Sequence, residues 1–149
     1  MKLEQEIKQV RPFSNPYQRA SVNILYTHNW LVSKMNVLFE GSKVTRKQYN
    51  IMRILKGAAK PVSTAYIRER MLEKNSDVSR IVDRMFERGL IHKEVCPSDK
   101  RLVDVELTEN GLELLSEINS KMDDLDELFK NLDLKEIELL NELLDKIRS

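Results

Sequence analysis

The sequence predicts a mainly α-helical fold that carries one small β-hairpin. Apolar residues recur every three or four positions through most of the chain, which is the spacing of helices that bury one face. After residue 100 the spacing changes, because Val103, Val105 and Leu107 alternate with Asp104 and Glu106, as in a strand with one buried face. The length of 149 residues and the 33% of charged residues indicate one globular domain with a solvated surface.

The predicted first helix spans residues 14–41. Ser14 or Asn15 can cap its start, and Pro16 suits the first turn, where its missing N–H costs nothing. Gly41 is expected to end the helix. Its apolar residues form one broad stripe: Val22, Leu25, Leu31, Val32, Met35, Leu38 and Phe39. We expect a partner to cover this stripe along its whole length.

Two short helices are predicted next. The sequence "TRKQ" from Thr45 has the spacing of a capping box, and Gly57 is expected to end this second helix. Pro61 forces the residue before it out of the helical region, so "KPVS" predicts an extended link. Ser63 can then cap a third helix of about three turns. Its expected buried residues are Ile67, Met71 and Leu72.

A fourth helix is predicted from Ser76 or Asn75 to Gly89, with apolar residues at helical spacing on one face. The other face is polar and carries Ser76, Asp77, Ser79, Arg80, Asp83, Arg84 and Arg88. We expect Asp83 and Glu87 to pair with arginines of the same helix. An ordinary solvated helix with alternating charges shows the same pattern, so this face alone does not decide a function.

The hairpin and two further helices complete the predicted order. Strands at residues 90–95 and 102–107 are joined by "CPSDKR", a length suited to an exposed hairpin loop. Thr108 caps a long fifth helix, and "DLKE" from Asp133 opens a sixth helix with a second capping box. The expected inward residues are Leu112, Leu115, Ile118, Met122, Leu125 and Phe129, followed by Ile137, Leu140, Leu143, Leu144 and Ile147.

Two short helices, the second of which leads directly into a hairpin, are the arrangement of a winged helix-turn-helix, here residues 45–107. In that fold the second helix enters the major groove of DNA and its exposed side chains reach base edges. Arg80 and Arg84 lie one turn apart on the expected face. Ser76 and Ser79, near the helix start, can donate hydrogen bonds to phosphates.

The hairpin tip adds a second predicted contact with DNA. A wing beside a recognition helix lies over the neighbouring minor groove, whose negative potential attracts arginine. Lys100 and Arg101 supply two cations, and Asp99 has the spacing to hold Arg101 in place. Pro97 stiffens the loop and lowers the entropy lost on docking.

The charge distribution favours a polyanionic partner for the first part of the chain. Residues 1–59 hold ten Lys or Arg and three Asp or Glu, whereas residues 102–149 hold five and fourteen. Solvation of long surface helices explains part of such a pattern as well. The apolar positions of the first, fifth and sixth helices exceed what one small domain can cover, so residues 14–41 and 108–149 predict a homodimerisation region.

The segment 76–111 resembles the recognition helix and wing of MarR-type bacterial transcription regulators. The stretches that carry the resemblance are "SDVSRIVDRMFERGLIHKEV" and "SDKRLVDVELTENG", with the Asp-x-Arg motif at Asp99 and Arg101, and the order of elements agrees over residues 15–149. The resemblance implies a transcription regulator, expected to be a repressor. It implies a homodimer on a palindromic operator in double-stranded DNA, released by a small anionic or phenolic ligand.

Carried over by position, the resemblance assigns roles to individual residues. Ser79 and Arg80 would contact bases or phosphates, and Arg101, oriented by Asp99, would enter the minor groove. Lys74 stands where many members of the family have an acidic residue. We therefore expect Lys74 to contact phosphate rather than to hold the wing arginine.

Several residues allow other interpretations. Tyr26, His28 and Trp30 form a polar and aromatic group in the first helix, where they can contact an effector, although a histidine packed with a satisfied hydrogen bond is the alternative. Cys96 is either a redox sensor or a small loop side chain. The acidic stretch "KMDDLDE" lacks the glycine of a calcium loop and is expected to be a solvated helix face.

Other functional classes have little support in the sequence. One cysteine and two histidines are too few for a standard zinc site, and we expect no cofactor or metal. No phosphate-binding glycine loop or nucleophile with its base is visible, so no enzyme is expected. No apolar run is long enough to span a bilayer, and a cytoplasmic location is expected. The alternative to a DNA-binding regulator is a winged-helix protein-interaction or dimerisation module that does not read DNA.

Overall fold

The computed structural model describes residues 2–95 and 103–149. The described helices are α1 (Leu3–Glu6), α2 (Pro16–Leu38), α3 (Arg46–Ala58), α4 (Thr64–Arg70), α5 (Val78–Glu87), α6 (Glu109–Met122), a 3-10 helix (Asp123–Phe129) and α7 (Leu134–Arg148). The described strands are β1 (Val62–Ser63), β2 (Ile91–Val95) and β3 (Val103–Leu107). The predicted mainly helical fold with a small β-hairpin is confirmed. The chain divides into two compact units, Met1–Val37 and Leu38–Ser149.

The first unit contains α1, which the sequence did not predict, and most of α2. Arg19 Nε lies 2.5 Å from Glu4 Oε1, joining α1 to the start of α2, and this hydrogen bond lowers the pKa of the Glu4 carboxyl. Asn15, rather than Ser14, caps α2, because its Oδ1 accepts the Gln18 amide at 2.9 Å. Within the predicted stripe, Val22, Leu31, Val32 and Met35 are half-buried and Leu25 is exposed.

Helix α2 ends before the predicted residue Gly41. The chain turns after Leu38, and the Ser42 amide donates to the Phe39 carbonyl at 3.1 Å. Phe39 is thereby buried against Tyr49 of α3, with 5.3 Å between ring centroids. The packing of this aromatic pair overrides the helical spacing that continues through position 39.

Helix α3 begins as predicted, but it ends later. Thr45 and Gln48 form the reciprocal capping box, with distances of 3.2 and 3.0 Å. The helix continues through Gly57 because Ala59, with φ of 52°, adopts the left-handed conformation that ends it. The prediction that Gly57 ends this helix is therefore wrong.

Helix α4 is shorter than predicted. Ser63 Oγ accepts the Tyr66 amide at 3.2 Å, as expected for the cap, but α4 has seven residues, about two turns. Met71 is extended and buried, and the chain then turns Leu72 outward, leaving it 85% exposed. The prediction that Leu72 is buried is therefore wrong.

The three strands form one antiparallel sheet in the order β1-β3-β2. The predicted hairpin pairs Ile91 with Leu107 and Val95 with Val103. The predicted extended link at residues 60–63 includes β1, whose Val62 pairs with Val105 of β3. The predicted alternation is confirmed on β3, because Val105 is fully buried, whereas Asp104 and Glu106 are exposed.

The C-terminal part departs from the prediction in two respects. The predicted fifth helix is an α-helix only to Met122 and continues as a 3-10 helix, and Leu112 is exposed rather than inward. Helix α7 begins with the predicted capping box of Asp133 and Glu136, but none of its side chains is buried. The residues expected to face inward on α7 therefore lie at the surface of the single chain or are only half-buried.

The core of the second unit joins α3, α4, α5, α6 and the sheet. Its fully buried side chains are Ile51, Met52, Ile67, Met71, Val78, Val82, Met85, Ile91, Val105, Leu115 and Ile118. Burial of these apolar side chains is the main favourable term that holds α5 and the hairpin in place. No helix in the described ranges is both long and apolar enough to cross a membrane.

Candidate nucleic-acid interface

Helix α5 presents a polar face to solvent over its whole length. Its apolar side chains Val78, Val82 and Met85 are buried in the core. Opposite them the exposed side chains are Ser79, Arg80, Asp83, Arg84 and Glu87. The helix is therefore fixed by one face, and the other face is exposed.

The start of α5 differs from the prediction. Asp77, rather than Ser76 or Asn75, is the cap, and its Oδ1 accepts the Arg80 amide at 3.2 Å. The Ser76 amide donates to the Glu73 carbonyl at 3.2 Å in a tight turn that directs the serine inward. Ser76 is only 8% exposed, and its Oγ has no hydrogen-bond partner among the described residues. Ser76 is thus not on the exposed face, contrary to the prediction.

The end of α5 leads into the hairpin almost without a linker. Gly89 has φ of 66°, its amide donates to the Phe86 carbonyl at 2.8 Å, and the Leu90 amide donates to the Met85 carbonyl at 3.0 Å. This pair of hydrogen bonds is the Schellman motif that ends helices at a left-handed glycine. The predicted end at Gly89 is confirmed, and β2 begins two residues later, at Ile91.

Thr108 connects this junction to the start of α6. Its hydroxyl donates to the Gly89 carbonyl at 2.7 Å and accepts the Gly111 amide at 3.0 Å. Its own amide donates to the Leu90 carbonyl at 3.2 Å. Sequence reasoning identified Thr108 as a cap but missed that it also fixes the chain between α5 and β2.

The carboxylates of α5 do not pair as predicted. Asp83 pairs with Lys93 of β2, because α5 packs against that strand, and not with an arginine of its own helix. Arg88 instead donates to the Lys43 carbonyl at 2.6 Å. Over residues 2–95 and 103–149 no carboxylate forms an ion pair with Arg80 or Arg84, and both side chains are exposed.

Lys74 lies in the turn before α5. It is exposed, and its Nζ donates to the Glu69 carbonyl at 2.5 Å. The neighbouring Glu73 is held by Arg46 and Lys47 at 3.3 and 3.1 Å. The predicted wing residues Asp99, Lys100 and Arg101, together with Cys96, lie outside the described residues.

The three candidate effector residues do not share one face of α2. Tyr26 and Trp30 are one turn apart and lie on one side, whereas His28 is nearly opposite. Tyr26 is half-buried, Trp30 is 40% exposed and His28 is exposed. His28 is therefore not a core histidine within this chain.

In the part of the chain that the structure describes, no cluster of three His, Cys, Asp or Glu side chains is placed to hold a metal ion.

Residues 42–102, which include α3, α4, α5 and β2, match the model of the MarR family. This part of the chain is similar to the MarR family. A relative of known class is the HTH-type transcriptional regulator MhqR of Bacillus subtilis (strain 168), 26% identical over 82 residues. That match covers 54% of this chain, and it spans only 57% of the length of the curated relative.

Solved structures share this fold over a longer part of the chain. An organohalide-sensing transcriptional regulator with bound 2,4-dichlorophenol has a TM-score of 0.82 at 18% identity, covering 94% of this chain and 86% of its own. A cysteine-to-serine mutant of MarR from E. coli, complexed with operator DNA, has a TM-score of 0.74 at 24% identity, covering 99% of both chains. At these identities the likeness shows the fold.

Proposed function

We propose that this chain is a sequence-specific DNA-binding transcription regulator. The observation that carries the proposal is the exposed polar face of α5, joined through Gly89 directly to the hairpin. A helix whose exposed face carries arginines fits the width of the major groove, and it leads directly into a hairpin as in winged helices. The solved MarR mutant that shares this fold is complexed with operator DNA.

The contacts that we propose divide into base and backbone contacts. Ser79 and Arg80, near the start of α5, reach base edges or adjacent phosphates, and Arg84 lies one turn further along the same face. Lys74 contacts a phosphate after leaving the Glu69 carbonyl, a neutral acceptor that competes weakly with a phosphate.

The hairpin loop completes the proposed interface. Arg101 enters the minor groove with Asp99 orienting it, and Lys100 contacts the backbone; these roles rest on the sequence and on the resemblance to the MarR family.

We propose that the chain acts as a homodimer on a palindromic operator. Leu140, Leu143 and Ile147 follow one another along one face of α7, and they are 37%, 50% and 64% exposed. Exposure of such an apolar stripe to water is unfavourable, and a second copy related by a two-fold axis would cover it. The acidic composition of residues 102–149 keeps this end of each chain away from DNA.

We also propose that a small anionic or phenolic ligand releases the DNA, so that the chain acts as a repressor. The support is the solved regulator of the same fold with 2,4-dichlorophenol bound. Tyr26 and Trp30, which share a face of α2, are the proposed ring-stacking contacts. His28 lies on the other side of α2 and is therefore not proposed as a contact of the same ligand.

Selection of bound duplexes from a random pool tests this function. The expected result is a palindromic consensus that the unmodified chain binds tightly and in a salt-sensitive manner. Addition of phenolic acids should weaken binding to the selected duplex. If no duplex is enriched although the chain dimerises, the DNA-binding proposal is wrong, and a protein-interaction module is the better account.

A further inference from the structure

A lysine of the hairpin is attached to the middle of α5. The Lys93 ammonium group pairs with Asp83 Oδ1 and lies 5.8 Å from the centroid of the Phe86 ring. Asp83 and Phe86 are three residues apart, so the lysine spans one turn of the helix. The Lys93 side chain keeps only 26% of its exposure, although lysine is rarely buried to that extent without a partner.

The position of Lys93 on the strand explains why this contact matters. Ile91, two residues earlier, faces the same side of β2 and is buried in the core. Lys93 is thus the next position toward the hairpin loop on the same side of β2. Among the described side chains, the ion pair and the ring contact join Lys93 to the helix.

We propose that Lys93 and Asp83 form a brace that fixes the direction of the hairpin relative to α5, and that binding of duplex DNA depends on this brace. This inference rests on the proposed DNA-binding function. Both residues act as positioning residues, because the brace holds β2 in a fixed direction relative to the face of α5 that carries Arg80 and Arg84. Preorganisation of this kind lowers the entropy that is lost when the complex forms.

The negative charge of Asp83, taken alone, predicts that removal of this carboxylate strengthens DNA binding, whereas the brace predicts weaker binding. Asp83 lies on the face of α5 that carries Arg80 and Arg84, and a carboxylate there repels phosphate. Its replacement by a neutral residue of the same shape should therefore strengthen binding if charge alone decides. If the brace is required, the same replacement weakens binding.

The test measures the affinity of a selected duplex for Asp83→Asn, Lys93→Met and the double variant. We expect each single variant to bind about tenfold more weakly, and the double variant to be no weaker than the weaker single one, because both changes remove one shared contact. The matched control is Glu87→Gln, which removes the same charge one turn along α5 from a residue without an ion pair in the described ranges. This control should bind as tightly as the unmodified chain or more tightly. Unchanged or stronger binding by Asp83→Asn, or additive losses in the double variant, would overturn the proposal.

A shortened duplex separates positioning from general destabilisation. The half-sites are kept, and the flanking base pairs under the proposed hairpin are removed. The unmodified chain should lose affinity on this duplex, while Asp83→Asn should lose much less, because its hairpin contacts are already impaired. A variant that is merely less stable loses the same factor on both duplexes, and that result also overturns the brace.

Amide hydrogen exchange without DNA distinguishes failure of the brace from failure of the proposed function. Exchange at residues 93–95 should be faster in Asp83→Asn and Lys93→Met than in the unmodified chain and in Glu87→Gln. Failure of the unmodified chain to bind any duplex overturns the DNA-binding function and with it the role of the brace in binding. Unchanged exchange in both variants shows that no brace exists, whatever the chain binds.

Discussion

Gly111 lies directly against the backbone of Leu90: a Cβ atom on Gly111 would be 2.1 Å from the Leu90 carbonyl oxygen. The same oxygen accepts a hydrogen bond from the Thr108 amide at 3.2 Å, so it is held by the residue that precedes α6. This close approach fixes α6 against the residue that leads from α5 into β2. It also gives a physical reason for glycine at the end of the sequence "TENG".

The first prediction is that Gly111→Ala destabilises the chain. Glycine to alanine inside a helix normally stabilises by about 0.5–1 kcal/mol, but here the new methyl group overlaps a backbone oxygen. We expect a net loss of about 1–3 kcal/mol in the free energy of unfolding, measured with denaturant. Gly57→Ala in α3 is the matched control, because nothing lies within 4 Å of its Cβ position. The control should be more stable than the unmodified chain, and equal behaviour of the two variants would contradict the packing described.

The second prediction concerns the buried hydroxyl before α5. Ser76 Oγ has no partner among the described residues, so Ser76→Ala removes an unsatisfied polar group. The free energy of unfolding should stay the same or rise by about 1 kcal/mol. Affinity for a selected duplex should not change, whereas Ser79→Ala on the exposed face should weaken it. A loss of stability or of affinity in Ser76→Ala would show that the hydroxyl has a role.

Most elements could be predicted because their signals are local. Capping boxes at Thr45 and Asp133, the glycine that ends α5 and the alternation on β3 each specify a short stretch through its own residues. The errors arise where tertiary contacts override local preference. Phe39 follows the end of α2 and packs on Tyr49. Met71 is extended and buried in the core, so α4 ends before the predicted third turn.

The third prediction is that the apolar face of α7 holds two chains together. The double change Leu143→Asp and Ile147→Asp places charges in the proposed interface, which lacks a partner for them. Analytical ultracentrifugation should show a dimer for the unmodified chain and a monomer for this variant. Glu138→Gln, on the other side of α7, should remain a dimer. A monomeric unmodified chain would contradict the proposed dimer.

The fourth prediction concerns the wing arginine identified from the sequence. Arg101→Ala should weaken binding of the selected duplex by about 1–3 kcal/mol, because it removes the proposed minor-groove contact. Fluorescence anisotropy at constant salt measures the loss. Arg148→Ala, in the last turn of α7, removes the same charge far along the chain and should have no effect. Equal affinities of Arg101→Ala and the unmodified chain would exclude this role for the wing.

The candidate interface was only partly predictable from the sequence. The free face of α5 follows from helical spacing, but the inward turn of Ser76 depends on the hydrogen bond between its amide and Glu73. The partner of Asp83 is on another element, so spacing within the helix pointed to the wrong residues. A lysine at an inward position of β2 was the available signal, because such a residue needs a carboxylate nearby.

Repeating the duplex selection with Arg80→Ala tests most directly whether the exposed face of α5 reads DNA. If Arg80 contacts a base, the variant should lose the preference at one pair of symmetry-related positions and keep the rest of the palindrome. Binding should also weaken by about 1–3 kcal/mol on the original consensus. An unchanged consensus bound with unchanged affinity would contradict the account, because α5 would then not face the bases.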